Sequence, residues 1–137
     1  WADMVIASCA VNLSARKDRA FTEVFRVLGD GGLLAISDMV VVKPLPPFLP
    51  RNRAARSSLL AGAVSLEKYL ALIERAGFLR PKVEQLIVYS SEQLETLMGM
   101  ELRSGESEGR MAKEDLALLE GRVASAHILA LKVHCNC

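Results

Sequence analysis

The sequence of 137 residues lacks long apolar runs, an excess of one charge and an even set of cysteines. Its longest strongly apolar stretches, 33–42 and 123–133, fall short of the ~20 residues that a membrane helix needs. The formal net charge is +1, without the basic surface that nucleic-acid binding requires. Three cysteines give no disulfide framework and are typical of a reducing compartment. We therefore expect a cytoplasmic protein whose partners are neither nucleic acid nor a membrane.

The chain has enough apolar residues for a folded core. Hydrophobic residues make up 51% of the sequence, and a domain of this length buries roughly two-thirds of its extended surface. The sequence opens with Trp1-Ala2-Asp3 and enters an apolar run at once, without an initiator Met, a basic segment or a cleavage signal. We expect it to be part of a longer protein, with 1–134 in one domain and 135–137 as a cysteine-containing tail.

Apolar patterning predicts strands that alternate with helices, as in an α/β sheet with helices on both faces. The predicted strands are Met4–Ala7 (a strand buried on both faces), Leu33–Ile36 (which Met39–Val42 extends or follows), Lys82–Tyr89 and Val123–Val133. Helices are predicted after the caps Ser14 and Ser65, from the Ser90–Gln93 capping box to about Met98, and at Ala112–Glu120. The segments Lys43–Arg51, with four prolines, and Arg103–Arg110 are predicted loops, and Asn52–Ala63 is compatible with a helix.

The glycine segment Gly29-Asp30-Gly31-Gly32 is not predicted to bind a nucleotide. A dinucleotide-binding loop follows a strand and opens a helix, whereas this segment follows a predicted helix and precedes a predicted strand. Glycine tolerates the left-handed backbone that ends many helices. The segment is therefore interpreted as a helix-to-strand turn.

Candidate functional residues follow the first two strands, because ligands of open α/β sheets bind at the carboxyl ends of strands. Those ends are predicted at 8–12 and at Ser37-Asp38. Taken alone, Asn12 and Asp38 are ordinary strand-end polar groups, and a lone cysteine in an apolar run such as Cys9 is more often an inert small hydrophobe than a functional thiol. The sequence places neither histidine near Cys9. The tail 134–137 carries soft ligands in one cluster only, so no metal site is assigned.

One stretch carries a resemblance to a known family. Ile6 to Ser14 reads I-A-S-C-A-V-N-L-S and resembles the I-S-N-C-V-I-N-L-S stretch of arsenite methyltransferases. Further similarity lies in 25–28 with 31–32 and 34–38, like the family's R-V-L-K-P-G-G-R-L-A-I-S-D, and in 61–63, 66–69, 76–78 and 123–126. The similarity spans Asp3 to about Val133.

The resemblance implies the fold and the chemistry. The fold would be the second half of a Rossmann-like methyltransferase sheet, with its last strand antiparallel and helices flanking it. The activity would be methyl transfer from S-adenosylmethionine to thiolate-bound trivalent arsenic, with arsenite as the substrate. Cys9 stands at the position of an arsenic-binding cysteine, and Ser8, the Cys9 backbone and Asn12 would contact the cofactor. No residue is assigned a catalytic role beyond positioning the substrate.

The sequence also departs from the family pattern. Leu59 stands where the family has its second arsenic-binding cysteine, so Cys135 and Cys137 are the other candidate arsenic ligands. Leu59 and Asp38 are predicted to lie on a substrate-side loop. The glycine-rich cofactor loop belongs to earlier strands, so the isolated chain is expected to be inactive unless an N-terminal half or a second chain completes the sheet. The alternatives are methylation of another small organic molecule and a truncated, non-catalytic module.

Overall fold

The computed structural model describes residues 1–45, 62–104 and 113–134. Four strands form one sheet: β1 (Ala2–Ser8), β2 (Leu28–Val41), β3 (Leu79–Val88) and β4 (Val123–Leu131). The helices are α1 (Lys17–Val27), α2 (Leu66–Arg75), α3 (Ser91–Ser104) and α4 (Lys113–Leu119). A single 3₁₀ turn, Val11–Leu13, lies between β1 and α1.

The strand order across the sheet is β1-β2-β4-β3. β1 and β2 are parallel, whereas β4 runs antiparallel to both β2 and β3. The parallel pair is joined through α1, the usual way to return a chain to the same end of a sheet. The predicted α/β fold with an antiparallel last strand is confirmed.

The main core lies between the sheet and helices α1 and α2. Alternate residues of β2 and β4 point to this face, because side chains of a strand alternate between the two faces of a sheet. Edge-to-face ring contacts join the helices and the loop after α2, with Phe21 and Tyr69 centroids 5.4 Å apart and Phe25 and Phe78 centroids 5.0 Å apart. Members of this core include Leu34, Ile36, Val40, Ile73, Ala126, Ile128 and Ala130.

Within residues 1–45, 62–104 and 113–134, the opposite face of the sheet is covered at one end only. There α3 and α4 pack on Met39 and Val123 through Leu94, Leu116 and Leu119. The rest of this face carries two rows of apolar residues that run across neighbouring strands. One row is Met4, Leu33 and Leu131, and the other is Ile6, Ala35 and Leu129.

The burial predicted for the first strand is not found. Met4 is 49% exposed and Ile6 is 75% exposed. Both belong to the apolar rows that no helix of the described residues covers. Only Val5 and Ala7 pack, partly buried, against the main core. β1 therefore has one covered face and one open face, and within the described residues it pairs on one side only.

Two of the predicted helix caps are confirmed. Ser65 accepts a hydrogen bond from the Lys68 backbone N–H at 3.1 Å, and Ser90 and Gln93 bond each other's backbone N–H groups as a capping box. Ser14 differs, because its hydroxyl accepts from the Arg16 N–H at 3.1 Å and the helix begins only at Lys17. The helix begins later than predicted because the 3₁₀ turn Val11–Leu13 comes first, and Ser14 is the C-cap of that turn.

Several predicted boundaries move in the structure. β2 runs from Leu28 to Val41, so it begins before Leu33–Ile36 and continues without a break into Met39–Val42, where it is paired with β4 from Leu33 to Val41. Helix α3 continues to Ser104 instead of ending near Met98, so Arg103 and Ser104 of the predicted loop Arg103–Arg110 are helical. Residues 43–45 have no regular structure, as predicted. The described residues do not include 46–61 and 105–112. Most of the two predicted loops and of the segment Asn52–Ala63 therefore lies outside them.

The glycine segment follows α1 but is not the predicted helix-to-strand turn, because Leu28 is already extended and 29–32 lie inside β2. Between the pairs Ala2–Leu28 and Met4–Leu33, β1 advances two residues while β2 advances five, so the segment bulges out of the ladder. Gly31 has φ +80°, and its N–H bonds the Lys132 carbonyl at 2.7 Å. The segment lies at the amino end of β2, far from the carboxyl ends where ligands of such sheets bind.

Gly77 is expected to be sensitive to substitution for two reasons. Its φ is +115°, and a Cβ added there would lie 2.8 Å from the Phe25 ring. We expect Gly77→Ala to lower the free energy of unfolding by about 2–4 kcal/mol, measured by urea denaturation. The matched control is Gly121→Ala, at φ +75° with open space around the added methyl, which should cost about 1–2 kcal/mol. Equal losses for the two variants would contradict the packing argument.

Candidate functional site

The candidate site lies at the carboxyl ends of the parallel strands β1 and β2. Cys9 directly follows β1, and its N–H bonds the Ser37 carbonyl at 2.8 Å. Cys9 has φ +54°, a left-handed conformation that is uncommon for residues other than glycine. Such residues persist where the surrounding structure holds them in place, and they are frequent at functional sites. The thiol is half-buried.

Residues 9–13, the Cys9 turn, are held from several sides. The Asn12 N–H donates to Asp38 Oδ2 at 3.1 Å, and its side-chain Nδ2 donates to the Met39 carbonyl at 2.6 Å. Lys17 Nζ donates to the Asn12 carbonyl at 3.3 Å. Gly62 approaches so closely that an added Cβ would lie 1.9 Å from the Asn12 carbonyl oxygen. The turn is therefore fixed to β2, to α1 and to the segment before α2.

Asp38 is the charged residue at the centre of this arrangement. It is 1% exposed, and its Oδ2 accepts from both the Asn12 N–H and the Tyr69 hydroxyl, the latter at 2.8 Å. Burial raises the pKa of the Asp38 carboxyl above its ordinary value, while hydrogen bonds from Tyr69, Asn12 and Met39 and the charge of Lys17 act in the opposite direction. The desolvation cost of a buried carboxylate explains the direction of the shift.

Tyr69 connects the site to α2. Its ring is fully buried against Phe21, and its hydroxyl donates to Asp38. Burial raises the pKa of Tyr69, and the negative charges of Asp38 and Cys9 raise it further. Among these causes of the raised pKa of Tyr69, Cys9 makes the smallest contribution. The thiol, the phenol and the carboxyl thus belong to one electrostatic neighbourhood.

Two oxygens of this neighbourhood have no hydrogen-bond partner among the described residues. They are Asp38 Oδ1 and Asn12 Oδ1, and Asn12 is only 3% exposed. A buried acceptor without a donor costs about 1–3 kcal/mol, so native structures retain few of them. The two oxygens are acceptors that a donor group could satisfy.

The sequence prediction for Asp38 was wrong in one respect. Asp38 was expected at a strand end on a substrate-side loop, but β2 continues to Val41 and Asp38 lies inside it. Backbone pairing with Ala126 of β4 keeps this segment extended. Its side chain consequently points into the main core beneath the Cys9 turn. The carboxyl supports the turn from below.

Sequence reasoning missed three residues of the site: Lys17, Gly62 and Tyr69. Tyr69 was assigned to the apolar stripe of its helix, where it does lie. A buried tyrosine needs a partner for its hydroxyl, and that requirement was the available signal. No local pattern marks the contact of Gly62 or the hydrogen bonds of Lys17, because both depend on the fold.

Some of the other candidate residues belong to the described part of the chain, and some do not. Ser8 is exposed at the end of β1 and pairs with Ser37. Leu59, Cys135 and Cys137 lie outside the described residues. His127 pairs in register with Ser37, whereas His134 contacts the Asp30 carboxylate at the other end of β2. Within the described segments, no three His, Cys, Asp or Glu side chains could hold a metal ion together, and no helix could cross a membrane.

Comparison with known proteins identifies relatives of the chain. An arsenite methyltransferase of Halobacterium salinarum is 32% identical over 117 residues, which cover 82% of this chain and 30% of that protein. The chain is related to the arsenite methyltransferases. The arsenite methyltransferase of Homo sapiens is 29% identical over 99 residues, which cover 71% of this chain and 26% of that protein. The resemblance carried by the Cys9 stretch is confirmed. No protein-family profile matches the chain.

A solved structure gives the same relationship for the fold. An arsenic(III) S-adenosylmethionine methyltransferase from Chlamydomonas reinhardtii superposes with a TM-score of 0.64 at 25% identity. The superposition covers 98% of this chain and 38% of that one. The sheet is therefore that of the Rossmann-like, S-adenosylmethionine-dependent methyltransferases. The chain spans less than a third of the length of the two arsenite methyltransferases that it matches.

The raised pKa of Asp38 gives stability a specific pH dependence. Between the ordinary and the raised pKa the folded state holds more protons than the unfolded state, so this carboxyl's contribution to the free energy of unfolding falls as pH rises. Asp38→Asn removes that fall. We expect the stability of the variant relative to the parent to increase from about pH 3 to about pH 7, measured by urea denaturation. Asp3→Asn, at an exposed residue of β1, is the control, and parallel curves for Asp38→Asn and the parent would contradict the assignment.

Proposed function

We propose that the chain is the arsenic-holding part of an arsenite methyltransferase, with Cys9 as a thiolate ligand of trivalent arsenic. The observation that carries the proposal is the position of Cys9, at the carboxyl end of a parallel strand on a turn fixed by Asp38. The relationship to arsenite methyltransferases supports the choice of substrate. The proposal includes a cytoplasmic location, since an arsenic-binding thiolate has to stay reduced.

The chemistry of Cys9 suits this substrate. A thiolate is a soft ligand, and trivalent arsenic is a soft acceptor that keeps a lone pair when it is bound. That lone pair forms the new bond to carbon, while the methyl group leaves its sulfonium sulfur with the bonding electrons remaining on sulfur. S-adenosylmethionine, when bound, supplies this methyl group. The task of the protein is to hold arsenic in line with the methyl and to keep water out.

The residues present fit one side of a cofactor site. Ser8 carries an exposed hydroxyl at the end of β1, and Asn12 Oδ1 is a buried acceptor without a partner in the described residues. Hydroxyl and amide oxygens are the acceptors that the ammonium and ribose hydroxyl groups of S-adenosylmethionine need. Ser8, the Cys9 backbone and Asn12 would hold that part of the cofactor. The glycine segment 29–32 contributes nothing, because it lies at the other end of β2.

The open side of the sheet supports a further part of the proposal. The exposed apolar residues of β1 and the uncovered rows beside them form a surface that a methyltransferase domain would bury. An edge strand with exposed apolar side chains is also a ready pairing partner. We propose that the remaining strands of the sheet, from the same protein or from a second chain, pair with β1 and bring the cofactor loop.

Cys9→Ser is expected to abolish arsenite methylation in the protein that contains this chain. A hydroxyl is a hard, weakly acidic group and a poor ligand for trivalent arsenic. The side chains have similar size, so the fold should be retained, which circular dichroism would check. Methylated arsenic products are measured by chromatography coupled to mass spectrometry. Wild-type turnover in a folded Cys9→Ser protein would overturn the assigned role.

The second thiol ligand is expected to come from the tail. Leu59 cannot bind arsenic, which leaves Cys135 and Cys137 as the other cysteines of the chain. We expect deletion of residues 134–137 to weaken arsenite binding by about tenfold, since a second ligand acts at a high effective concentration. Leu59→Cys in the shortened chain should restore binding. Titration calorimetry with arsenite measures both, and unchanged affinity after the deletion would contradict the role of the tail.

A further inference from the structure

We propose that Asp38 is a positioning residue, which orients the Cys9 thiol through the hydrogen bonds that it accepts from Asn12 and Tyr69. The inference rests on the proposed function for the reason why the thiol has to be oriented. The hydrogen bonds that orient it do not involve arsenic. Asp38 does not itself touch substrate or cofactor in this proposal. It acts through the Cys9 turn.

Separate segments of the chain converge on one oxygen atom of Asp38. Asp38 Oδ2, on β2, accepts from the Asn12 N–H at 3.1 Å and from the Tyr69 hydroxyl at 2.8 Å. Asn12 belongs to the Cys9 turn and Tyr69 to α2, so a single carboxyl fixes the distance between the turn, the sheet and the helix. Hydrogen bonds to an ionised acceptor are shorter and roughly twice as strong as neutral ones.

The Cys9 turn needs a fixed attachment to the sheet. Cys9 is left-handed, a conformation that costs about 1–2 kcal/mol for a residue with a side chain. Its N–H bonds the Ser37 carbonyl, one residue before Asp38. The next contact from the turn to β2 is made by Asn12, through Asp38 and through the Met39 carbonyl. The turn is thus bound to three consecutive residues of β2, with the carboxyl of the middle residue as its side-chain contact.

Burying the Asp38 carboxyl has a cost in folding free energy. Asp38 is almost completely buried, yet its Oδ1 has no partner among the described residues. Apolar residues at both 38 and 69 would avoid that cost, since replacing both partners of a buried polar pair is often nearly neutral, but they would leave the Asn12 N–H without its acceptor. A buried carboxyl that is only half satisfied is therefore better explained by what it holds than by its contribution to stability.

Among the residues that the structure describes, few charged groups surround the carboxyl. Lys17, on α1, is the cation that interacts with Asp38, and its own pKa is lowered by burial and by Lys68 of α2. Tyr69 and Cys9 are the other titratable groups of the neighbourhood. The inferred role depends on acceptor geometry, so the test separates loss of the acceptor from loss of the charge.

The experiment compares Asp38→Ala with Asp38→Asn in the full chain, with Cys135 and Cys137 changed to serine so that Cys9 is the remaining cysteine. Asparagine keeps an oxygen acceptor for Asn12 and Tyr69, whereas alanine keeps none. We expect amide hydrogen exchange in 9–13 to become about tenfold faster in Asp38→Ala and to stay within about twofold of the parent in Asp38→Asn. Exchange in Ala126–Ala130 of β4 should not change. The pH profile of Cys9 alkylation by iodoacetamide should shift in the alanine variant and return in the asparagine variant.

Tyr69→Phe provides a milder test that keeps the buried ring and removes one donor. We expect exchange in 9–13 to become about threefold faster. The matched control is Tyr89→Phe, a tyrosine of the core on the other face, which should leave the Cys9 turn unchanged. Equal acceleration in 9–13 and in β4 would show that Asp38 only stabilises the fold and would overturn the inference, as would an asparagine variant as damaged as the alanine variant. None of these measurements uses arsenic, so failure of arsenite binding would overturn the proposed function alone.

Discussion

The buried carboxyl of Asp38 is the interaction on which the rest of the candidate site depends. It lies in the middle of β2 and holds the Cys9 turn to the sheet on one side and Tyr69 of α2 on the other. Without an acceptor at this point, the Asn12 N–H and the Tyr69 hydroxyl would both be buried donors without partners. The left-handed backbone of Cys9 would then lose much of the structure that maintains it.

The sheet itself is asymmetric in a way that follows from the same strands. One face is filled by α1 and α2, and it carries the carboxyl and the tyrosine. On the other face, the described residues provide cover only near Met39 and Val123, and the apolar rows beside it include the exposed side chains of Met4, Ile6 and Leu131. A sheet with one finished face and one open face is what a segment of a larger methyltransferase domain would present, and the Chlamydomonas reinhardtii enzyme is more than twice as long.

Much of the local structure could be predicted from the sequence, because its causes are local. The Ser90–Gln93 box and the Ser65 cap satisfy backbone groups within three residues, and the predicted strands lie where the structure has strands. Strand lengths were less accessible. β2 continues through the polar pair Ser37-Asp38 because β4 pairs with it there, and Ile6 is exposed because burial depends on what covers a strand.

By itself, the sequence determined the order of the elements and the placement of Cys9 after the first strand, since periodicity and caps are short-range signals. It also determined the family relationship through one continuous stretch. Only the tertiary structure decided which polar residues support that cysteine. Asn12 and Tyr69 are 26 and 31 residues from Asp38, so their hydrogen bonds leave no local pattern and exist only when β2, the turn and α2 are packed together.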